Sequence, residues 1–203
     1  NAKAAIAKYQ RAVDNIFFAA GNATARWIAS QSKGGKIPVD EKKFSLFGPE
    51  TVALRGAHNF KNAVMAATIA RYLKVPQQVI LKEAKRFRGL EHRLELVRKI
   101  SAHQRFDPRG SSSLYFYNDS ASTNPHTAAA AVKAFPGEQK ILIAGGQDKN
   151  LNYRPLAAAL KKLEKEMTAI ILMGENKKKI KTAIRNTHLP IKIVPDLKTA
   201  VAT

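Results

Sequence analysis

With 203 residues and no cysteine, the chain has room for one large domain or two small ones, and disulfides, thiol nucleophiles and cysteine-ligated metals are excluded. A hydrophobic fraction of 45% and a charged fraction of 25% fit a globular protein, and no apolar run approaches the roughly 20 residues that span a bilayer, so a cytosolic protein without membrane contact is expected. The formal charge of +20 points first to polyanions, yet the basic residues are spread along the chain without an aromatic RNA-binding strand, zinc-finger spacing or GXXG loop. Nucleic acid is therefore not the expected partner, since an anionic small molecule explains the charge as well.

The chain opens on Asn1-Ala2-Lys3-Ala4-Ala5-Ile6, which reads as helix interior, with a helix expected over about residues 1–12. Asn15 to Ala20 reads as a strand ended by Gly21-Asn22, followed by a short helix from Ala23 to Ser30 and a Lys/Gly loop from Ser32 to Lys36. Phe44–Phe47 and Val52–Leu54 read as short strands around the Gly48-Pro49 turn. A helix then runs from Asn59 or Phe60 to about Leu73, with Val64, Ala67, Ile69 and Leu73 as its apolar stripe and Val75-Pro76 closing it. A second helix covers Gln77 to Phe87, and Gly89 marks a break between two domains, 1–89 and 90–203.

Beyond that break, strands are expected to begin near Arg93, Leu114, Lys140, Thr168 and Ile191, with helices over about 125–135, 155–166 and 175–186. Alternation of this kind specifies βαβ crossovers and an α/β fold with a mostly parallel, Rossmann-like sheet. Ile141-Leu142-Ile143-Ala144 and Ile170-Ile171-Leu172-Met173 are continuously apolar, as strands covered on both faces must be. Asp119, Gly145-Gly146 and Gly174-Glu175 follow expected strands, so they should converge at the carboxyl edge where such sheets bind ligands. The lysines at 177, 178, 179 and 181 read as a solvated helix face.

Several constellations could carry chemistry. Asn118-Asp119-Ser120-Ala121-Ser122-Thr123-Asn124-Pro125 crowds a carboxylate, hydroxyls and amides between a strand and an Ala-rich helix; it is either a ligand-binding turn or an ordinary capped βα loop. Gly56-Ala57-His58-Asn59-Phe60-Lys61-Asn62 puts two amides three residues apart at the start of a helix, where free N–H groups favour acceptors. In Gly89-Leu90-Glu91-His92-Arg93-Leu94-Glu95, Arg93 suits a phosphate or ribose edge, or else pairs with Glu91 or Glu95. Ala144-Gly145-Gly146-Gln147-Asp148-Lys149 combines close backbone approach with a cation suited to a carboxylate. No GxxxxGK[ST] phosphate loop, GxSxG elbow or HExxH motif occurs.

In this order, Ala2-Lys3-x-x-Ile6, Gly56-x-His58-Asn59-x-x-Asn62, Gly89-Leu90-x-His92-Arg93-x-Glu95, Asn118-Asp119-Ser120-x-x-Thr123-Asn124-Pro125 and Gly145-Gly146-x-Asp148-Lys149 resemble the Mur ligase family, in the branch that adds D-glutamate to UDP-N-acetylmuramoyl-L-alanine. The resemblance implies that residues 1–89 are the end of a central ATPase domain and 90–203 most of a C-terminal Rossmann-like domain for the incoming amino acid. The phosphate loop and UDP-binding domain would then precede Asn1, and this chain alone would be an inactive internal part of the ligase. The implied chemistry is ATP- and Mg²⁺-dependent amide formation through an acyl phosphate, in the cytoplasm, by a monomer serving peptidoglycan synthesis. By the same resemblance, Lys3 matches a carbamoylated lysine that ligates Mg²⁺. Asn59 and Asn62 match adenine-side contacts, Arg93 and Asp119 ribose-side contacts, and Thr123 and Lys149 residues that bind D-glutamate. Two departures stand out: Ala121 occupies a position that is usually Lys, and Gly21-Asn22-Ala23-Thr24 lacks an acidic pair. A sister Mur or folylpolyglutamate-type ligase, or a non-catalytic basic module binding nucleotides or nucleic acid, are the alternatives.

Overall fold

A computed structural model describes residues 2–101 and 113–203, which form two compact units, 1–88 and 89–203. No helix among the described residues is long and apolar enough to cross a membrane.

In the first unit, a 3-10 turn (Ala2–Ala4) leads into the short helix α1 (Ala5–Lys8). This helix is shorter than the expected span to residue 12 because the chain turns at Arg11, whose N–H is captured by Asp14 Oδ2 at 2.7 Å. Strand β1 (Asn15–Ala19) crosses through α2 (Ala23–Ser30) to β2 (Gly35–Val39), which lies parallel to it. Asn22 caps α2 by accepting the Ala25 N–H at 2.9 Å. Sequence reasoning placed a loop at 32–36, and Gly35 and Pro38 conceal β2. In a two-stranded sheet, Pro38 can pair with Phe18 in register while its missing N–H costs nothing on the open side.

Phe44–Phe47 and Val52–Leu54 are not strands. A 3-10 turn (Pro49–Thr51) lies between them, and Phe47 and Val52 pack with Ala67 of α3 (Ala57–Tyr72) and Ile80 of α4 (Gln77–Arg86). Their apolar character serves a helix-packing core in place of a ladder. Helix α3 ends on a Schellman arrangement: Lys74 takes the left-handed conformation (φ 61°), its N–H reaches Arg71 O and the Val75 N–H reaches Ala70 O at 3.0 Å. Pro76 follows and starts α4 without needing a donor.

The second unit begins with β3 (Glu95–Ser101) and β4 (Ser113–Asn118), an antiparallel pair with a register shift between Leu96 and Arg98. Helix α5 (Pro125–Val132) follows, then β5 (Lys140–Gly146), α6 (Arg154–Lys162), β6 (Met167–Gly174), α7 (Lys177–Ala183), β7 (Ile191–Ile193) and α8 (Leu197–Ala202). Strands β5, β6 and β7 are parallel in that order, so the chain is α/β as expected.

The continuous apolar runs divide by alternation. Leu142, Ala144, Ile170 and Leu172 face a core built with Ala129 and Val132 of α5, Leu156, Ala159 and Leu160 of α6, and Ile180 and Ile184 of α7. Ile143, Ile171 and Met173 point to the other face, where Ala200 of α8 and Val194 meet them. Leu160, Ile170 and Leu172 are fully buried, each contributing about 1.5–3 kcal/mol of transfer free energy. Lys140 pins the lower end of β5: its Nζ donates to Phe135 O and Glu138 O (2.7 Å) and pairs with Glu166 at 2.6 Å.

Candidate active site

Polar groups gather at three places, one in the first unit and two in the second. In the first, Gly56 enters α3 at φ 93°, a conformation suited to glycine. Asn59, one turn on, is buried and its Nδ2 donates to Arg55 O at 2.7 Å, so part of its amide is committed to holding the preceding loop. Asn62 is exposed three residues along the same helix. Lys3 is exposed in the opening 3-10 turn.

The second cluster joins the approach to β3 with the exit of β4. The Leu94 N–H donates to Asp119 Oδ1 at 3.0 Å, and the Ala121 N–H to His92 O at 2.9 Å. The His92 N–H donates to Glu95 Oε2 at 2.8 Å, and Asn118 Nδ2 lies 2.8 Å from His92 Nδ1. His92 and Leu94 both sit at positive φ, 62° and 46°, conformations that cost non-glycine residues about 1–3 kcal/mol and that these cross-links hold in place. Glu95 therefore serves His92, and the sequence alternative of an Arg93 ion pair with Glu91 or Glu95 is not what forms. The Arg93 guanidinium is exposed and has no hydrogen-bond or ion-pair partner among the described residues. Thr123 is exposed in the turn that follows, where Asn124 caps α5 by accepting the His126 and Thr127 N–H groups, both at 3.0 Å. The motif caps a helix through Asn124, and its Asp119 carboxylate holds the Leu94 N–H, next in sequence to Arg93.

The third cluster stands at the carboxyl ends of β5 and β6. Gly145 (φ 144°) passes so close to the neighbouring strand that a Cβ would lie 2.0 Å from Met173 O. Gly174 (φ 70°) presses against Gly146, whose carbonyl receives the Glu175 and Asn176 N–H groups at 2.9 and 3.2 Å. Beyond these glycines the Asp148 N–H donates to Glu175 Oε2 at 3.2 Å. Asp148 in turn accepts the Asn150 N–H at 2.9 Å and pairs with Lys179 of α7 at 2.5 Å. The Lys179 ammonium bonded to Asp148, helped by the Asn150 N–H, holds that carboxyl below the usual carboxylate range. Asn176 is buried beneath the loop and its Nδ2 donates to Tyr153 Oη at 2.8 Å. Lys149 is exposed and has no partner among the described residues, so its charge is available to a ligand.

One expectation needs correction. Asp119 does not follow a parallel strand, because β4 pairs antiparallel with β3 and belongs to a ladder separate from β5–β6–β7. Glycines 145, 146 and 174 and Glu175 do share a parallel rim, whereas no hydrogen bond or ion pair among the described residues joins the 147–150 loop to the 118–124 turn. Sequence reasoning also passed over Lys179, which it placed on a merely solvated face. Its position two residues into a helix that follows a rim glycine was the available signal.

No family model matches this sequence. Among curated proteins, the chain is similar to the UDP-N-acetylmuramoylalanine–D-glutamate ligase of Natranaerobius thermophilus, 34% identical over 162 residues that cover 79% of this chain and 32% of that protein. It is likewise 37% identical to the enzyme of the same name from Aquifex aeolicus over 140 residues, 69% of this chain and 30% of that protein. The chain spans about a third of the length of the curated relatives it matches. Among solved structures, MurF from Acinetobacter baumannii matches with a TM-score of 0.67 over 99% of this chain and 47% of its own, at 16% identity. UDP-N-acetylmuramate–alanine ligase from Thermotoga maritima matches with a TM-score of 0.53 over 75% of this chain and 32% of its own, at 18% identity. At such identities these two likenesses concern the fold.

Proposed function

The chain belongs to the Mur ligase family, and on that premise we propose that it is the part of a cytoplasmic D-glutamate-adding ligase that receives the amino acid and one side of the nucleotide. Residues 1–89 would complete an ATP-binding domain and 90–203 would bind D-glutamate, the acceptor being UDP-N-acetylmuramoyl-L-alanine. The acceptor carboxylate oxygen takes the γ-phosphoryl group of ATP, giving an acyl phosphate and releasing ADP. The D-glutamate amine then attacks that carbonyl carbon, forming the amide and releasing phosphate. Positioning and charge neutralisation supply the catalysis.

The observation that carries this reading is the unpaired Lys149 ammonium at the end of β5, beside an Asp148 already neutralised by Lys179. A point cation there suits a side-chain carboxylate. Thr123 would add a hydroxyl to the same substrate. For the nucleotide, Arg93 offers a free planar fork, Asp119 keeps one carboxylate oxygen beyond the one that holds Leu94, and Asn62 offers an exposed amide. Asn59 would contribute what its bond to Arg55 leaves over. The guanidinium and the accepting carboxylate of the second unit, and the amides of the first, are each of a kind that recognises a nucleoside. For magnesium, a Lys3 carbamate would be this chain's ligand; the described residues contain no group of three His, Asp or Glu able to cage a cation.

In the complete ligase, Lys149→Ala is expected to raise KM for D-glutamate by about tenfold or more, with ATP binding retained. Comparing D-glutamate with other amino acids in the same assay separates this assignment from a sister ligase. An unchanged kcat/KM for D-glutamate removes Lys149 from the site.

A further inference from the structure

We propose that Lys179 is a positioning residue for the amino-acid site, bridging Asp148 and Asn150 so that the β5–α6 loop offers the positive charge of Lys149 without opposition from the adjacent Asp148 carboxylate. This rests on the reading of Lys149 as a ligand for the D-glutamate carboxylate.

The argument begins with the charge sequence of the loop. Asp148 and Lys149 are adjacent, so without a third group the carboxylate would oppose any anion approaching its neighbour. Lys179 reaches across from α7 and places Nζ 2.5 Å from Asp148 Oδ2 and 3.3 Å from Asn150 Oδ1. Asp148 Oδ1 meanwhile accepts the Asn150 N–H at 2.9 Å, an Asx turn that stabilises Asn150 at φ 51°. Two successive side chains on either side of Lys149 are thus held by one ammonium on a separate element. The Asp148 N–H bond to Glu175, at 3.2 Å, fastens the same loop to the β6–α7 connection from below. Among the described residues Lys149 alone of this group makes no bond, so the bridge leaves it oriented by its backbone and free in its charge.

An exposed ion pair of this kind adds little to stability, since its members are 48% and 28% exposed, so its effect should be read in binding. The test uses steady-state kinetics of the complete ligase. Lys179→Met is expected to raise KM for D-glutamate about three- to tenfold, with kcat and KM for ATP unchanged, because loss of the cation leaves Asp148 repelling the substrate. Lys179→Arg should restore most of the affinity, and adding Asp148→Asn to Lys179→Met should bring KM back toward the parent value by removing the repelling charge. Lys181→Met removes one charge from the same helix without touching Asp148 and should leave KM alone. Lys179→Gln is the substitute if Lys179→Met does not fold, as judged by circular dichroism.

An unaltered KM in Lys179→Met, alongside a raised KM in Lys149→Ala, overturns the bridge and leaves the site. An equal rise in Lys181→Met overturns it too, since a general field would then suffice. If Lys149→Ala itself changes nothing, the amino-acid site has been misplaced.

Discussion

Replacing Gly145 by alanine puts the close approach of β5 and β6 under direct strain. Gly145 and Gly146 have almost the same backbone, φ 144° and 149°, but an added Cβ at Gly145 would lie 2.0 Å from Met173 O, whereas one at Gly146 meets nothing within 4 Å. The conformational penalty for a side chain at such φ, about 1–3 kcal/mol, applies to both positions. Only Gly145→Ala adds overlap with backbone, which cannot rotate away and can yield only if two paired strands separate; overpacking of this sort costs about 1–3 kcal/mol more. Those strands carry Leu142, Ala144, Ile170 and Leu172, so separation disturbs the main core of the second unit. Gly145→Ala should therefore destabilise by about 3–4 kcal/mol and Gly146→Ala by about 1–2 kcal/mol, after subtracting the entropy that alanine removes from the unfolded chain. Hydrogen exchange of β5 and β6 amides reads the difference locally. The single tryptophan, Trp27, lies on α2 in the first unit, so its fluorescence transition follows a different unit. Equal protection of β5 in the two variants would refute the argument that contact, beyond dihedral preference, fixes glycine at 145.

Asp119→Asn should keep an acceptor for the Leu94 N–H while weakening nucleotide binding, and Asp119→Ala should in addition lose about 1–3 kcal/mol of stability. Calorimetric titration with a non-hydrolysable ATP analogue and thermal melting separate the two effects; parent-like affinity in the Asn variant excludes Asp119 from the nucleotide site. Hydrogen bonding from Lys140 lowers the Glu166 carboxyl pKa, so more protons bind the unfolded chain and stability rises with pH through that window. The contribution is complete above the unfolded carboxylate range, about 4.3, and is lost as pH falls through the lower folded value. Lys140→Met should flatten the decline of melting temperature between about pH 5 and pH 3, with the slope left by Asp148 remaining, and an identical slope would contradict the assignment.

The second unit was more legible in the sequence than the first, for a physical reason. Leu142–Ala144 and Ile170–Met173 pack against apolar side chains on both faces, Ile141 alone of the two runs being exposed, and that environment permits hardly any polar residue, so the strands are written plainly. In the first unit, β2 contains Gly35 and Pro38, and its neighbour β1 is a lone partner, so pattern and structure part company. Phe44, Leu46 and Phe47 look like strand residues because both strands and helix-packing loops need large apolar side chains, and only α3 and α4 reveal which applies. At the site, Gly145, Gly146 and Lys149 were evident locally. The direction of β4 and the reach of Lys179 were not, because both depend on partners well separated in the chain, such as Glu95 with Asn118 and Asp148 with Lys179.

The interlock of Gly146 with Gly174 also governs how such a rim can change over evolutionary time. A Cβ at 174 would come within 2.6–2.9 Å of the Gly146 backbone, so substitution at 174 demands movement of β5, whereas a Cβ at 146 meets nothing within 4 Å. Mutational libraries aimed at new amino-acid preference should accordingly fail at Gly145 and Gly174, whose added Cβ atoms meet backbone, and succeed among the neighbouring side chains at 147, 149 and 175. The rim thus separates an invariant seat from an adjustable lip, and diversification of selectivity can proceed without disturbing the sheet below.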